Sequence, residues 1–205
     1  LTISTTFLFI GLIPDFAVSP TMFVRQIDWL RNNGYHFVSV DDLLADKAGR
    51  RALPDKAVLI TFDDGYRSVY DHAWPLLKML HIPSVVAVVG IWEEDKGTVN
   101  FDGHVIPRDK VMTWQELREL SDSGLVEIAS HSYDLHRGIP GNPQGNLQPA
   151  ATTRRWLPER KTYEDEVSYR KRVEADLKMS SELIKQRIGR GPRIIAWPYG
   201  RYNAG

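Results

Sequence analysis

The chain has 205 residues with 26 basic and 26 acidic side chains, so its formal net charge is zero. This balance argues against a protein that binds nucleic acid or an anionic membrane, because both classes need an excess of Lys and Arg. Cysteine is absent, which excludes disulfides, thiol nucleophiles and cysteine-based zinc sites and leaves His, Asp or Glu to hold any metal.

The length predicts one domain over residues 1–205, and the first apolar segment, Phe7–Ile13, predicts a buried strand. This segment is far shorter than the ~20 residues that a membrane helix needs. It has no basic residues in front of it and no small-residue cleavage site behind it, unlike a signal peptide. We therefore expect no transmembrane segment in this chain.

Beyond this segment, short apolar runs alternate with amphipathic helical patterns. The first helix is predicted from the capping pair Ser19-Pro20 to Gly34. Further strands are predicted at residues 37–40, 57–62, 85–89, 126–130 and 194–197. Further helices are predicted to begin at residues 41, 75, 113 and 162. The alternation indicates an α/β fold with parallel strands.

Two segments lack a regular pattern, and so does the end of the chain. Residues 90–110 are polar and contain glycines, which indicates a loop or a small hairpin. Residues 138–158 contain four prolines and three glycines, so we expect no regular element there; a long loop inside a compact domain is usually functional or mobile. Only eight residues follow the last predicted strand. We expect either an unprotected sheet edge or completion of the fold by residues beyond this chain.

The segment Thr61–Gly65 places two adjacent carboxylates, Asp63 and Asp64, at the carboxyl end of a predicted buried strand. Neighbouring carboxylates repel each other and lose hydration in such a position, while Gly65 allows the backbone to turn sharply. A functional pair is one interpretation of this segment. An Asp-Gly turn in which one carboxylate caps the next helix is an equally good one.

The segment Ser130–His136 places His131 and His136 after another predicted strand. Two imidazoles in one loop can converge on a cation, and together with a carboxylate they suit a zinc-like divalent ion. A single histidine would more often be a surface or core residue. The pair therefore favours metal binding, whereas the other four histidines have no such context.

The segment Arg193–Gly200 joins the last predicted strand to an aromatic-Pro-aromatic-Gly sequence. On its own it is consistent with a strand followed by a turn. However, functional sites in barrel and open α/β folds form where the carboxyl ends of strands meet. We therefore expect the three segments to converge on one site.

Together the three segments resemble the motifs of the polysaccharide deacetylases, the NodB-homology family also called carbohydrate esterase family 4. The resemblance rests on Thr61–Gly65, the histidine pair and Arg193–Tyr199, in that order, and spans most of the chain. It implies a distorted (β/α) barrel, here incomplete at its C-terminal end. Most members have their two histidines four residues apart, whereas these are five apart. This spacing, with Trp197–Gly200 and the long loop, is similar to the PgaB-type subgroup that acts on biofilm poly-β-1,6-N-acetyl-D-glucosamine.

The resemblance also implies a metal centre. It assigns Asp64, His131 and His136 as ligands of one divalent cation, with zinc expected first and nickel, cobalt or iron as alternatives. A cation with three protein ligands keeps an open position for water and substrate.

Catalytic and substrate-binding roles follow from the same resemblance. It assigns Asp63 as the general base, Arg193 as the partner that orients Asp63, and the Tyr199 backbone N–H as a donor to the oxyanion. The residues expected to line the substrate groove are Gly65, Tyr133, Trp197 and Pro198.

The implied activity is metal-dependent removal of N-acetyl groups from a β-linked N-acetylglucosamine polymer, poly-β-1,6-N-acetyl-D-glucosamine first, with release of acetate. The alternatives are a chitin or peptidoglycan deacetylase of the same family and a weakly active carbohydrate-binding protein on the same scaffold. The adjacent Asp63 and Asp64 favour an enzyme, because a binding module needs no second carboxylate. We also expect an exported protein, periplasmic or associated with the outer membrane, that is a monomer.

The acid that protonates the departing amine has no candidate. Many relatives use a histidine near the C-terminal end of the domain, and this chain ends before that position. In the circularly permuted PgaB-like members we expect an aromatic-His pair in the first strand. The corresponding segment here, Thr5–Ile10, contains no histidine.

Overall fold

The computed structural model describes residues 4–5, 18–94, 97–101 and 104–202. The strands are β1 (Ser4–Thr5), β2 (His36–Phe37), β3 (Ala57–Val58), β4 (Ile60–Phe62), β5 (Ser84–Val88), β6 (Thr98–Phe101), β7 (His104–Pro107), β8 (Val126–Ser130), β9 (Gly138–Pro140), β10 (Leu147–Pro149), β11 (Trp156–Leu157) and β12 (Thr162–Tyr163). The helices are α1 (Pro20–Asn32), α2 (Val40–Lys47), α3 (Trp74–Leu80), α4 (Gly90–Glu94), α5 (Trp114–Asp122) and α6 (Glu166–Ile188). The predicted strand at Phe7–Ile13 lies outside the described residues.

A four-stranded sheet holds the strands in the order β1-β4-β5-β8. β1, β4 and β5 are parallel, with Ser4 opposite Ile60 and Ile60 opposite Ser84. β2 and β3 form a separate parallel pair. Every residue of β5 and β8 is buried, as is typical of parallel strands that are covered on both faces. The predicted α/β fold with parallel strands is confirmed.

Backbone contacts group the chain into two compact units, and the first comprises Leu1–Ala87 and Asp109–Ile128. In its core, Phe23 of α1 packs edge-on against Phe62 of β4, with ring centroids 5.9 Å apart. Phe23 and Ile27 are the buried residues of α1. Their spacing of four residues places both side chains on one helix face, as the sequence predicts.

The second unit comprises Val88–Arg108 and Ala129–Gly205. In the part that the structure describes, it contains α4, α6 and the antiparallel pairs β6–β7, β9–β10 and β11–β12. The residues of its buried apolar cluster are Leu135, Ile139, Ala150 and Ala151. Val173 of α6 and the half-buried Trp197 pack against this cluster, which fixes the end of the chain to the long helix.

The helix starts follow from their capping residues. The Ser19 hydroxyl accepts from the Met22 N–H at 3.2 Å at the start of α1, and Thr113 and Glu116 form the predicted capping box of α5. α2 begins one residue earlier than predicted because Ser39, not Asp41, is its cap. α6 begins later than the predicted residue 162, because Asp165 is its cap and Thr162–Tyr163 form β12.

Three predictions about individual segments need correction. Residues 194–197 form no strand; only an isolated parallel bridge joins Ile195 to Ser130. Residues 138–158, expected to be irregular, contain β9, β10 and β11. Two of the four prolines, Pro140 and Pro149, lie in the two-stranded pair β9–β10, where a missing backbone N–H is tolerated. Residues 90–110 contain the predicted hairpin, but α4 precedes it.

Candidate active site

The Asp63-Asp64-Gly65 segment directly follows β4 in a left-handed turn. The φ angle is +73° at Asp64 and +70° at Gly65, and the Met112 N–H donates to the Gly65 carbonyl at 2.9 Å. Asp64 is buried and Asp63 is half-buried. Burial, and secondarily the neighbouring Asp63 charge, raises the pKa of Asp64 to about 8. A buried carboxyl of this kind keeps its negative charge at neutral pH only if a positive charge lies beside it.

His131 follows β8 and is fixed by two backbone contacts. Its N–H donates to the Val88 carbonyl at 2.8 Å, and its ring Nδ1 lies 2.7 Å from the Ala196 carbonyl oxygen. Since a carbonyl only accepts, Nδ1 carries the proton. The other ring nitrogen, Nε2, is then the one with a lone pair for a metal, an arrangement that is common for metal-binding histidines.

His136 lies in an aromatic environment beside His131. The two imidazole centroids are 4.7 Å apart, the Tyr199 ring stacks on His136 at 4.8 Å, and the Trp92 ring meets it edge-on at 5.2 Å. Burial, and secondarily His131, lowers the pKa of His136 to about 3. His136 is therefore a neutral imidazole at neutral pH, which is the form that binds metals.

These three side chains form a metal-binding cluster. Asp64, His131 and His136 are all buried, and each offers one ligand atom within 4.8 Å of the others. Two neutral imidazoles and one carboxylate are a donor set for a borderline divalent cation. The cluster thus fits one divalent metal, and it joins two of the three sequence motifs.

Asp176 of α6 holds the backbone of the loop between the two histidines. Its carboxylate accepts from the Tyr133 N–H at 2.8 Å and the Asp134 N–H at 2.7 Å. Ser180, one helical turn later, lies 2.8 Å from the Ser130 hydroxyl. Sequence reasoning did not identify Asp176 or Ser180. Their spacing was the available signal, since two polar residues interrupt the inward-facing stripe of the helix.

The third motif forms a short 3-10 turn at Pro198–Gly200. Tyr199 has a φ angle of +58° and is 38% exposed, and its ring contacts His136. Trp197 packs against the apolar cluster of the second unit, and Arg193 is exposed. The motif therefore brings the Tyr199 ring to the histidines.

Three other residues were predicted to bind substrate: Tyr133, Gly65 and Pro198. Tyr133 is half-buried, and its hydroxyl donates to the Glu94 carboxylate at 3.0 Å. Its ring packs on Gly90, where a Cβ would lie 2.7 Å from the Tyr133 Cδ2 atom. Gly65 and Pro198 are buried. The close packing on Gly90 fixes the Tyr133 ring next to α4.

Comparisons with known proteins agree with this geometry. The sequence profile described as polysaccharide deacetylase matches residues 50–205. The BpsB deacetylase domain from Bordetella bronchiseptica has 44% identity and a TM-score of 0.85, covering 88% of this chain and 70% of that chain. A de-N-acetylase from Aggregatibacter actinomycetemcomitans has 33% identity and a TM-score of 0.89, covering 98% of this chain and 79% of that chain.

A curated relative extends the agreement. The poly-β-1,6-N-acetyl-D-glucosamine N-deacetylase of Escherichia coli K12 is 37% identical over 181 residues, which are 87% of this chain and 27% of that protein. The chain therefore spans about a quarter of the length of that relative. The resemblance that the three motifs indicate is confirmed, because the profile match includes all of them: the chain belongs to the polysaccharide deacetylase family.

Proposed function

We propose that this chain hydrolyses N-acetyl groups of poly-β-1,6-N-acetyl-D-glucosamine and releases acetate. The observation that carries the proposal is the buried cluster of Asp64, His131 and His136 in a chain of this family. The polymer is the one named for the E. coli relative, and also for a Staphylococcus epidermidis relative that is 26% identical over 93% of this chain and 56% of that protein.

The proposed cofactor is one divalent cation held by Asp64, His131 and His136, with zinc expected first and nickel, cobalt or iron as alternatives. Such a cation supplies Lewis acidity that lowers the pKa of water towards ~7 and polarises the acetyl carbonyl. The protein's part is to keep His136 neutral by burial and to fix the orientation of His131. The Nδ1–H bond of His131 to the Ala196 carbonyl supports this role.

Asp63 is proposed as the general base that removes the proton of the attacking water. Its place next to Asp64, half-buried rather than buried, supports this role. Arg193 is proposed to orient Asp63, and the Tyr199 N–H to donate to the oxyanion. The stacking of the Tyr199 ring on His136 places this residue next to the metal cluster, which supports this role. The acid that protonates the leaving amine has no assigned residue.

The wider organisation is proposed on the family resemblance. Residues 1–205 would belong to one domain with a distorted barrel, and Gly65, Tyr133, Trp197 and Pro198 would line the substrate groove. We also propose an exported monomer, periplasmic or attached to the outer membrane. In the part of the chain that the structure describes, no helix is long and apolar enough to cross a membrane.

The proposal is tested by separating metal binding from catalysis. Asp63→Asn should keep the metal content of the parent protein but lower acetate release from β-1,6-linked N-acetylglucosamine oligomers by roughly 10²–10⁴-fold, as expected for loss of a general base. His131→Ala should lose both metal and activity. The measurements are elemental analysis of the purified proteins and an assay of free acetate.

Asp28→Asn on α1 and His72→Ala serve as matched controls, because both residues are exposed. Each control should retain metal and activity. Acetate release at the parental rate from Asp63→Asn would contradict the assigned base. Faster release from β-1,4-linked than from β-1,6-linked oligomers would favour chitin-like substrates over the proposed polymer.

A further inference from the structure

A groove of about 730 Å³ lies along one side of α6 in the second unit. Its base is formed by the half-buried Val173 and Leu177 and by Tyr169, whose hydroxyl donates to the Ala151 carbonyl at 2.7 Å. Trp197 and Tyr202 add two more aromatic rings to its lining, and Tyr202 is 75% exposed. Aromatic rings at the wall of an open groove offer apolar faces on which a flat ligand can lie.

Some charged side chains of the groove form ion pairs, and one does not. Arg170 forms an ion pair with Glu166 at 2.9 Å, and the Lys178 ammonium lies 3.9 Å from the Glu182 carboxylate. Glu174 lies between these two cations along the helix, is exposed, and has no ion pair within the described residues. The groove therefore presents one carboxylate that has no ion pair among the described residues, beside its aromatic walls.

We propose that this groove binds a deacetylated, cationic D-glucosamine unit of the polymer, and this inference rests on the proposed function. Hydrolysis of an N-acetyl group converts a neutral acetamide into an amine that is protonated at neutral pH. The ammonium group pairs with Glu174, and the apolar face of the pyranose ring packs against Trp197 and Tyr202. A neutral N-acetylglucosamine unit can make the second contact but not the first.

The chain connects this groove directly to the metal cluster. Ala196, which accepts from the His131 ring, is followed by Trp197, and Tyr199 two residues later stacks on His136. The Cα atom of Trp197 is one step of ~3.8 Å from that of Ala196 and two steps, at most about 7.6 Å, from that of Tyr199, so the backbone of one groove wall lies close to the residues that contact the histidines. A polymer with one deacetylated unit in the groove would therefore have neighbouring units near the metal cluster.

The test compares binding of two oligomers of equal length, β-1,6-linked glucosamine and β-1,6-linked N-acetylglucosamine, by isothermal titration calorimetry. Glu174→Gln should weaken binding of the glucosamine oligomer by roughly threefold to fivefold, the range of a single exposed charge pair, and leave binding of the acetylated oligomer unchanged. Tyr202→Ala should weaken binding of both oligomers by about tenfold, because it removes an aromatic face. Added salt should reproduce the effect of Glu174→Gln in the parent protein.

Asp28→Asn, an exposed mid-helix carboxylate on α1, is the matched control and should bind both oligomers like the parent. Equal affinity of Glu174→Gln and the parent for glucosamine oligomers would overturn the inference. Acetate release is measured separately on the parent protein. If the protein releases no acetate but binds glucosamine oligomers through Glu174, the proposed activity is rejected and the groove proposal stands. If it releases acetate but Glu174→Gln does not change binding, the activity stands and the groove proposal is rejected.

Discussion

Three residues other than glycine have left-handed backbone in the three sequence motifs, one in each motif. The φ angles are +73° at Asp64, +75° at Ser132 and +58° at Tyr199. This conformation is uncommon for residues other than glycine and is found disproportionately at functional sites. In the first motif Asp64 of the cluster is itself left-handed, and in the second the left-handed Ser132 directly follows His131 of the cluster. Neither could be predicted, because Asp and Ser, unlike glycine, do not readily adopt this conformation and so do not signal it in a sequence.

Sequence analysis also missed the polar residues that support the cluster. The side chains of the cluster, Asp64, His131 and His136, could be singled out in the sequence because local motifs carry them, and the structure brings them together. Asp176 was not, because its partners are backbone N–H groups 42 and 43 residues away in the chain. A backbone N–H is present in every residue except proline, so the residue types in the loop do not reveal this contact. Only the folded helix shows which loop this carboxylate contacts.

Asp176→Asn should weaken metal binding more than it weakens the fold. The carboxylate offers two oxygens to two N–H groups, whereas an amide offers one oxygen and turns a donor towards the other N–H. The loop that carries both histidines would then lose one of its anchors. We expect metal affinity to fall by roughly 10–100-fold, the range for residues that orient metal ligands. Competition with a coloured chelator measures the affinity.

Two further measurements separate positioning from general destabilisation. The thermal midpoint of metal-free Asp176→Asn should fall by only a few degrees, and Asp28→Asn should leave both metal affinity and midpoint unchanged. If metal-free Asp176→Asn unfolds at room temperature, or binds metal as tightly as the parent, then Asp176 does not position the histidine loop.

At the level of elements, the predictions succeeded where local chemistry determines the structure. Caps at Ser19 and Thr113 locate α1 and α5 because each side chain bonds to a backbone N–H only three residues away. The strand expected at residues 194–197 did not form. Its apolar run indicates burial, but pairing depends on a distant partner, and only Ile195 has a bridge, to Ser130.

The first turn of α2 provides a pH-dependent test of such a cap. The Asp42 carboxylate accepts from the Ser39 N–H at 2.8 Å and from the Ser39 hydroxyl at 2.7 Å, and it pairs with Arg51. The Ser39 backbone N–H, then the Ser39 hydroxyl, hold the pKa of Asp42 below its usual value of 3.8. Because the folded-state pKa is the lower one, this stabilisation is present above pH 3.8 and is lost as the pH falls through the depressed pKa.

Asp42→Asn should therefore lower the free energy of unfolding at pH 7 by about 0.5 kcal/mol, a small value because the pair is partly exposed. The difference from the parent should be smaller at the lowest pH at which both proteins stay folded, because the Asp42 carboxylate becomes protonated as the pH falls through its depressed pKa. Urea denaturation at the two pH values measures this. If the difference in the free energy of unfolding is the same at the two pH values, the charge on Asp42 does not contribute to the cap.

For the whole molecule, the metal cluster depends on the folded chain. Asp64 follows β4, whereas His131 follows β8, and these strands are not adjacent in the sheet. An unfolded chain cannot hold the three ligand atoms together, so the cation binds the folded state almost exclusively. Length and composition did not predict this link between metal binding and folding. They established only that His, Asp or Glu would have to supply the ligands.

Removing the cation should consequently destabilise the protein. With free metal at about 100 times its dissociation constant, binding stabilises the fold by about 2.7 kcal/mol, which for a chain of this size corresponds to roughly 5–10 °C in the thermal midpoint. Chelation should lower the midpoint of the parent by this amount, and added metal should restore it, as followed by differential scanning calorimetry. His131→Ala should already unfold at a lower temperature and respond little to chelator. His72→Ala, which changes an exposed histidine, should keep the full response. If the parent protein contains metal but chelation does not change its thermal midpoint, the cation does not bind at the cluster.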